Sequence, residues 1–107
     1  MGRAQIISLL ENGSVLYKYP LKAYYQAGGG EPVFSVPKRH FKRAVKRNLL
    51  KRRMREAYRK NKAVLGEKAM DIMLVYNSKE IVSYEKISEN VIAILEKIAG
   101  VASDKAD

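Results

Sequence analysis

The sequence contains no cysteine, no tryptophan and only three prolines among its 107 residues, and its one histidine is His40. Without cysteine the chain can form neither disulfide bonds nor thiolate metal sites. A lone histidine next to Arg39 and Lys42 is expected to be a surface or RNA-contacting side chain rather than a zinc ligand. No apolar run approaches the roughly 20 residues that a membrane-spanning helix needs, and the N-terminal residues are too polar for a signal peptide. We therefore expect a soluble, cytoplasmic protein without a membrane partner.

Acidic residues are also few, with 11 Asp and Glu residues against 21 Lys and Arg residues. A metal-dependent nuclease needs clustered carboxylates to hold its ions, and a metal-free ribonuclease needs a set of acid and base groups around its substrate. The sequence shows neither arrangement, because the acids before the last helix stand singly. We therefore predict no catalytic residue and no metal site in the polypeptide. The dispersed acids are Glu11, Glu31, Glu56, Glu67, Asp71 and Glu80.

The positive charge is concentrated in one segment, residues 38–62. This segment contains thirteen Lys and Arg residues and a single acid, Glu56. Its charge is therefore +12, whereas the whole chain has a net charge of +10 and the other residues together have −2. A block of like charge repels itself unless a polyanion neutralises it. Nucleic acid is the first candidate partner.

Residues 42–62 are predicted to form a helix, since strong helix formers dominate and neither Gly nor Pro interrupts them. At about 100° per residue, one apolar stripe of this helix can pack on a sheet. The opposite sector collects guanidinium groups and one amide, which suit phosphate oxygens and base edges. The apolar stripe consists of Leu50, Met54, Ala57 and Tyr58. The polar row consists of Asn48, Arg52, Arg55 and Arg59, flanked by Lys51 and Arg47.

Two other interpretations of this helix are a solvated surface, and contact with an anionic membrane or a calmodulin-like partner. Solvated faces usually mix charges of both signs at a spacing of four residues. Here only Glu56 can pair, with Arg52 or with Lys60. The membrane interpretation is weakened because the apolar stripe is needed for the core. A nucleic-acid partner explains the charge best.

The rest of the chain predicts a single domain at residues 1–100 and a flexible tail at 101–107. The glycines at 28–30 predict a turn, so the strands on either side are expected to pair as a hairpin. DIMLVY is a continuous apolar run, typical of a central strand covered on both faces. Gly13 and Gly100 fit helix ends. The last helix is predicted to bury one apolar stripe at helical spacing. This stripe consists of Tyr84, Ile87, Val91, Ile94, Leu95 and Ile98. The predicted α-β-β-α-β-α order has helices at 3–12, at 42–62 and from 83, and strands at 15–27, 31–37 and 71–76.

The neighbours of the basic helix favour RNA over DNA. A helix that enters a DNA major groove usually has a second helix across the backbone, whereas here a strand is predicted on each side. Aromatic side chains on a sheet can stack on unpaired RNA bases. Alternate tyrosines of a strand must also face the core, so about half are expected to be packing residues. The candidates are Tyr17, Tyr19, Tyr24 and Tyr25.

The basic helix contains a pattern that resembles the RNR signature of the bacterial ribonuclease P protein subunit. This signature is R-N-x-x-K-R-x-x-R-E, and residues 47–56 are RNLLKRRMRE. The preceding FSVPKR resembles the family's approach to this helix, and DIMLVYNSKEIVSYEKISENVIAILEKI is similar to its third strand and last helix. The resemblance covers residues 6–99. One departure is that Ile6 and Leu10 occupy positions where many relatives have aromatic side chains.

The resemblance implies a two-layer α/β sandwich with a left-handed βαβ crossover, which is rare because such connections are normally right-handed. It also implies a non-catalytic protein, monomeric apart from its RNA, that assists a catalytic RNA. That RNA removes 5′ leaders from precursor tRNA with Mg²⁺. Ile6, Leu10 and Tyr24 would approach the leader in a cleft. The residues expected to contact RNA are Arg47, Asn48, Lys51, Arg52, Arg55, Arg59, Lys38 and Arg39.

Two functions remain as alternatives. A ribosomal or ribosome-assembly protein would share the basic helix, but it would co-sediment with ribosomal subunits and leave tRNA maturation unchanged. A DNA-binding regulator would bind a duplex at least as tightly as structured RNA, with dependence on sequence.

Overall fold

The computed structural model describes residues 2–30, 32–67 and 69–106, with only the backbone of 101–106. These residues form three α-helices and one four-stranded sheet. A short 3-10 helix, Lys62–Leu65, follows the second α-helix. The elements are α1 at Arg3–Asn12, β1 at Ser14–Lys18, β2 at Leu21–Ala27, β3 at Pro32–Ser35, α2 at Ala44–Asn61, β4 at Met70–Tyr76 and α3 at Tyr84–Ala106.

The sheet has the strand order β1-β2-β4-β3. Strand β2 pairs antiparallel with β1 and with β4, whereas β3 pairs parallel with β4. The predicted hairpin between β2 and β3 is therefore wrong, because β4 lies between them. An apolar central strand needs partners for its backbone groups on both edges, and β2 and β3 supply them. Helix α2 forms the crossover between the parallel strands β3 and β4, so a βαβ unit is present as expected.

The single strand predicted at 15–27 is in fact two strands, β1 and β2. Tyr19 and Pro20 form the turn between them, and Lys18 pairs with Leu21. Proline has no N–H to donate to a ladder. The Pro20 carbonyl instead accepts a hydrogen bond from the Asn77 N–H at 2.7 Å. The chain is thus the predicted single α+β domain with one strand more than expected.

The core lies between one face of the sheet and helices α2 and α3. Alternate residues of β2 and β4 are buried there, as the two-residue period of a strand requires. The apolar stripe predicted for α2 is confirmed, and so is the α3 stripe except for the half-buried Tyr84. The buried side chains of these four elements are Leu21, Ala23, Tyr25, Ile72, Leu74, Tyr76, Leu50, Met54, Ala57, Tyr58, Ile87, Val91, Ile94, Leu95 and Ile98.

The second face of the sheet is only partly covered, by α1. Helix α1 lies against β2 and β4, and its one fully buried side chain, Leu9, does not belong to the core cluster. The predicted helix end is confirmed, since Gly13 follows α1 and donates its N–H to the Leu9 carbonyl at 2.9 Å. Met73 of β4 and Tyr24 of β2 are half-buried on this face. Complete cover of β4 on both faces was therefore a wrong prediction.

Helix α3 continues through Gly100, so the predicted helix end at that residue is wrong. A glycine that ends a helix usually adopts a positive φ, and among the described glycines only Gly30 and Gly66 do so. Inside a helix, glycine costs about 1 kcal/mol relative to alanine, which does not prevent the helix from continuing. The flexible tail at 101–107 stays a prediction, because Asp107 and the side chains of 101–106 lie outside the described residues.

Candidate nucleic-acid interface

Helix α2 positions six of the eight predicted RNA contacts, all except Lys38 and Arg39. Its buried stripe, centred on Leu50 and Met54, fixes the rotation of the helix about its own axis. The opposite face is consequently directed to solvent, as the helical period requires. Helix α2 is 18 residues long, so several turns of this face are available to one extended partner.

The outer face of α2 forms an open groove of about 520 Å³. Val45, which is 79% exposed, and the partly buried Leu49 supply its apolar surface. Long polar side chains surround these two residues, so a ligand there would meet hydrogen-bond donors and an apolar floor together. The polar residues that line the groove are Asn48, Lys51, Arg52 and Arg55. The structure thus brings together four of the predicted RNA contacts.

Glu56 is the only acid of α2, and it does not line this groove. Its Oε1 lies 2.6 Å from Arg59 Nη2 and 3.7 Å from Lys60 Nζ. The hydrogen bond from Arg59 lowers the pKa of the Glu56 carboxyl. The pairing with Lys60 agrees with the sequence analysis, whereas Arg59 occupies the place expected for Arg52. Within the described part of the chain, the groove cations without an acidic partner are Lys51, Arg52 and Arg55.

Two arginines of the basic segment bind backbone carbonyls. Arg47 Nη1 donates to the Phe41 carbonyl at 2.8 Å and to the Lys42 carbonyl at 2.7 Å, which fastens the preceding turn to α2. Arg53 Nη1 donates to the Val82 carbonyl at 2.9 Å, which ties α2 to the loop before α3. Both arginines therefore stabilise the frame of the site. Their position in a run of cations gave no sign of this role.

The other cations of the predicted RNA contacts lie outside the groove. Lys38 and Arg39 are exposed on the turn before α2, and Arg59 is exposed near the C-terminal end of α2. His40 follows Arg39, but both of its ring nitrogens are buried and have no hydrogen-bond partner among the described residues. His40 is thus half-buried, so its surface position is confirmed only in part, and its ring nitrogens do not reach solvent as an RNA contact through them requires.

The residues predicted for the leader cleft lie on α1 and on the sheet face that α1 only partly covers. This face, which bears Tyr24, is called the open face. Ile6 is half-buried and Leu10 is 45% exposed on α1, while Tyr24 is half-buried on β2, against which α1 lies. Lys22 Nζ lies 4.9 Å from the ring centroid of Tyr24 and 5.2 Å from that of Tyr17. Hydrogen bonds to Tyr24 and Tyr17 raise the pKa of the Lys22 ammonium. This face offers a cation and two aromatic rings to an unpaired strand.

Lys22 is not among the residues predicted to contact RNA, although the sequence carries a signal for it. Lys22 and Tyr24 stand two residues apart in one strand, and this spacing places both side chains on the same face. Tyr25, the next residue along the strand, points to the opposite face and is buried in the core. Of Tyr24 and Tyr25, it is therefore Tyr25 that serves packing. The two-residue period of a strand is enough to separate the two tyrosines, with Tyr25 in the core and Tyr24 on the other face.

The chemical groups of these two surfaces are cations, one amide and aromatic rings. In the described part of the chain, no group of three or more His, Asp or Glu side chains could hold a metal ion. None of the described helices is long and apolar enough to cross a membrane. A small α+β domain with such surfaces belongs to the class of RNA-binding proteins.

Comparison with known proteins gives the family. The family model described as Ribonuclease P matches residues 2–99. A ribonuclease P protein component from Porphyromonas gingivalis is 33% identical over 110 residues, an alignment that covers 92% of this chain and 80% of the relative. Another from Thermotoga sp. is 39% identical over 70 residues, covering 61% of this chain and 59% of the relative. The chain belongs to the ribonuclease P protein family.

Solved structures show the same fold. The ribonuclease P protein from Thermotoga maritima superposes with a TM-score of 0.79 at 24% identity, and the match covers 89% of this chain and 92% of that one. The protein from Staphylococcus aureus superposes with a TM-score of 0.74 at 22% identity, covering 92% of each chain. The mixed α+β architecture expected from the sequence resemblance is thereby confirmed.

Proposed function

We propose that α2 is the surface through which this protein component of ribonuclease P binds the catalytic RNA. The observation that supports this role is the groove in which Lys51, Arg52 and Arg55 lack acidic partners. Guanidinium groups donate paired hydrogen bonds to phosphate oxygens, and the Asn48 amide can contact a base edge. A polyanion in the groove also removes the mutual repulsion of these cations.

In this complex the RNA performs the hydrolysis with Mg²⁺, and it removes the 5′ leader from precursor tRNA. The polypeptide contributes binding and orientation. Its own carboxylates are dispersed, and the described residues contain no cluster that would hold a metal ion. The Mg²⁺ therefore belongs to the RNA subunit in this proposal.

The open face of the sheet is proposed to hold the unpaired 5′ leader of the precursor. Tyr24 provides a ring on which a base can stack, and Lys22 beside it provides a charge for a phosphate. Ile6 and Leu10 of α1 would form the apolar side of the same cleft. The RNA subunit and the leader would thus occupy different surfaces of the domain.

Substitution of Arg52 or Arg55 by alanine tests the assignment of α2. Each change should weaken binding to a bacterial ribonuclease P RNA by roughly 1–3 kcal/mol, because a charge-assisted contact is lost. Lys86→Ala is the matched control, since Lys86 is an exposed cation on α3. Equal affinities for all three variants and the unsubstituted chain would contradict the assignment.

Cleavage of a 5′-leader precursor tRNA at limiting Mg²⁺ tests the role of the whole protein. We expect the protein to stimulate cleavage only when the bacterial ribonuclease P RNA is also present. Tight RNA binding without stimulation would favour the ribosomal or assembly function instead. Cleavage by the protein alone would contradict a non-catalytic polypeptide.

A further inference from the structure

A second, smaller pocket of about 250 Å³ lies between α2 and the edge strand β3. Its volume is below the roughly 300–1,000 Å³ typical of sites for drug-sized ligands. The pocket is therefore suited to a single planar group rather than to a whole cofactor. Arg55 is the only residue of the RNR pattern among those lining the pocket, and the others come from the β3 region and from residues 58–62. The lining residues include Pro32, Phe34, Arg55, Tyr58, Arg59 and Lys62.

Aromatic rings form part of the pocket wall. Phe34 and Tyr58 meet edge to face, with ring centroids 5.9 Å apart and an interplanar angle of 71°. Phe34 is only half-buried although it pairs with the core residue Leu74. Tyr58 is 7% exposed, and its hydroxyl has no hydrogen-bond partner in the part of the chain that is described. Burial also raises the pKa of this hydroxyl, so it is a neutral donor.

The charge of the pocket is positive. The Arg55 guanidinium carbon lies 5.8 Å from the centroid of the Phe34 ring, so a cation already covers one part of this ring. Arg59 is paired with Glu56, whereas Lys62 has no acidic partner among the described residues. The pocket thus combines an aromatic surface with uncompensated cations, the pair of features that binds unstacked nucleotides.

Arg55 connects this pocket to the groove on α2, because it lines both of them. An RNA strand bound along the groove would therefore have its next nucleotide at the mouth of the pocket. The open face that bears Tyr24 is on the other side of the sheet, since Phe34 belongs to the core face. The pocket is consequently distinct from the proposed leader cleft.

We propose that this pocket binds one unpaired nucleotide of the RNA that lies on α2. The base lies against Phe34, the Tyr58 hydroxyl donates to the base or its ribose, and the phosphate is bound by Lys62. This inference rests on the proposed RNA binding by α2. It adds a base-stacking contact to a surface that otherwise offers phosphate-binding cations and the Asn48 amide.

Two single-stranded RNA hexamers test the proposal with the full chain. One is an adenylate hexamer, and the other has the same ribose-phosphate backbone without bases. The adenylate hexamer should shift the NMR signals of the Phe34 and Tyr58 rings much more than the abasic hexamer does, because only a stacked base adds a ring current beside them. If these ring signals stay in place when the adenylate hexamer saturates the protein, the proposal is overturned.

The variant Phe34→Leu keeps an apolar side chain and removes the ring. It should weaken the adenylate binding that the Tyr58 ring signals report by roughly 5- to 150-fold, as loss of one base–aromatic stack does, and leave the abasic hexamer unaffected. Lys62→Ala should weaken both hexamers, because it removes a phosphate contact. The base-dependent contact would be overturned if Phe34→Leu weakened binding of both hexamers equally. It would also be overturned if Phe34→Leu weakened binding of neither. Tyr58→Phe, which keeps the ring and removes only the hydroxyl, should lose less than Phe34→Leu.

Binding to the catalytic RNA separates this inference from the function on which it rests. Weakened binding in Arg52→Ala together with unchanged binding in Phe34→Leu would overturn the nucleotide pocket and leave the role of α2 intact. Unchanged binding in Arg52→Ala would instead contradict the role of α2 itself.

Discussion

The glycine turn at 28–30 packs against one buried side chain, Asp71. This carboxylate is only 6% exposed, and an isolated buried charge is costly unless hydrogen bonds satisfy it. Asp71 Oδ1 accepts a hydrogen bond from the Gly30 N–H at 3.1 Å. The turn therefore wraps around Asp71 instead of closing the predicted hairpin. Glycine is needed where the backbone passes closest to the carboxylate.

Gly28 is the position of closest approach, and its substitution tests this packing. A Cβ on Gly28 would lie 2.1 Å from Asp71 Oδ2, so Gly28→Ala must displace a buried carboxylate. We expect it to lower the free energy of unfolding by about 1–3 kcal/mol, as overpacking does. At Gly29 the added Cβ would be 4.0 Å from Asp71 Oδ1, an ordinary contact. Gly29→Ala is thus the control, and equal effects in urea unfolding would contradict the explanation.

Burial of Tyr76 makes the stability of the fold depend on pH in the alkaline range. It is fully buried, and its hydroxyl donates to the Glu80 carbonyl at 2.5 Å and accepts from the Val82 N–H at 3.0 Å. Burial raises the pKa of Tyr76 above its ordinary value of 10.0. Because the folded pKa exceeds the unfolded one, this contribution to stability is complete below about pH 10 and decreases as the pH rises through the folded pKa.

The variant Tyr76→Phe tests this pH dependence. Its free energy of unfolding, measured in denaturant from roughly pH 8 to 11, should fall less steeply than that of the unsubstituted chain. Tyr58 and Lys22, whose pKa values are also raised, account for a remaining decrease. Parallel curves for the two proteins would show that Tyr76 is not the titrating group.

Among the elements, helix α2 has one face that stabilises the fold and an opposite face that is proposed to bind RNA. Met54 is fully buried in the core, whereas Arg52 is exposed in the groove. Met54→Ala should lower the free energy of unfolding by about 2–5 kcal/mol, because it leaves a cavity. Arg52→Ala should change it by less than about 0.5 kcal/mol, since exposed positions tolerate substitution. Urea unfolding measures both, and a large loss in Arg52→Ala would mean that its effect on RNA binding is indirect.

Elements whose signal is local could be predicted from the sequence. The stripes of α2 and α3, the apolar run of β4 and the end of α1 at Gly13 follow from periods and end signals within single segments. Strand pairing could not be predicted in this way, because the partners of β4 are distant in the chain and the glycines at 28–30 gave a misleading local turn signal. The groove on α2 follows from one helical wheel. The pocket at Phe34 and Lys62 does not, since it needs the packing of β3 against α2.

At the scale of the whole molecule, the charge distribution predicts how RNA binding depends on salt. The chain has a net charge of +10. The segment that supplies this charge, residues 38–62, contains α2. If binding neutralises roughly 6–10 phosphates, affinity should fall by about 10³–10⁵ between 50 and 200 mM salt. A plot of log affinity against log salt should be linear, and Arg52→Ala should reduce its slope by about one. Lys86→Ala, on α3, should leave the slope unchanged. A slope that both substitutions alter equally would mean that net charge, rather than the α2 face, governs binding to the RNA subunit.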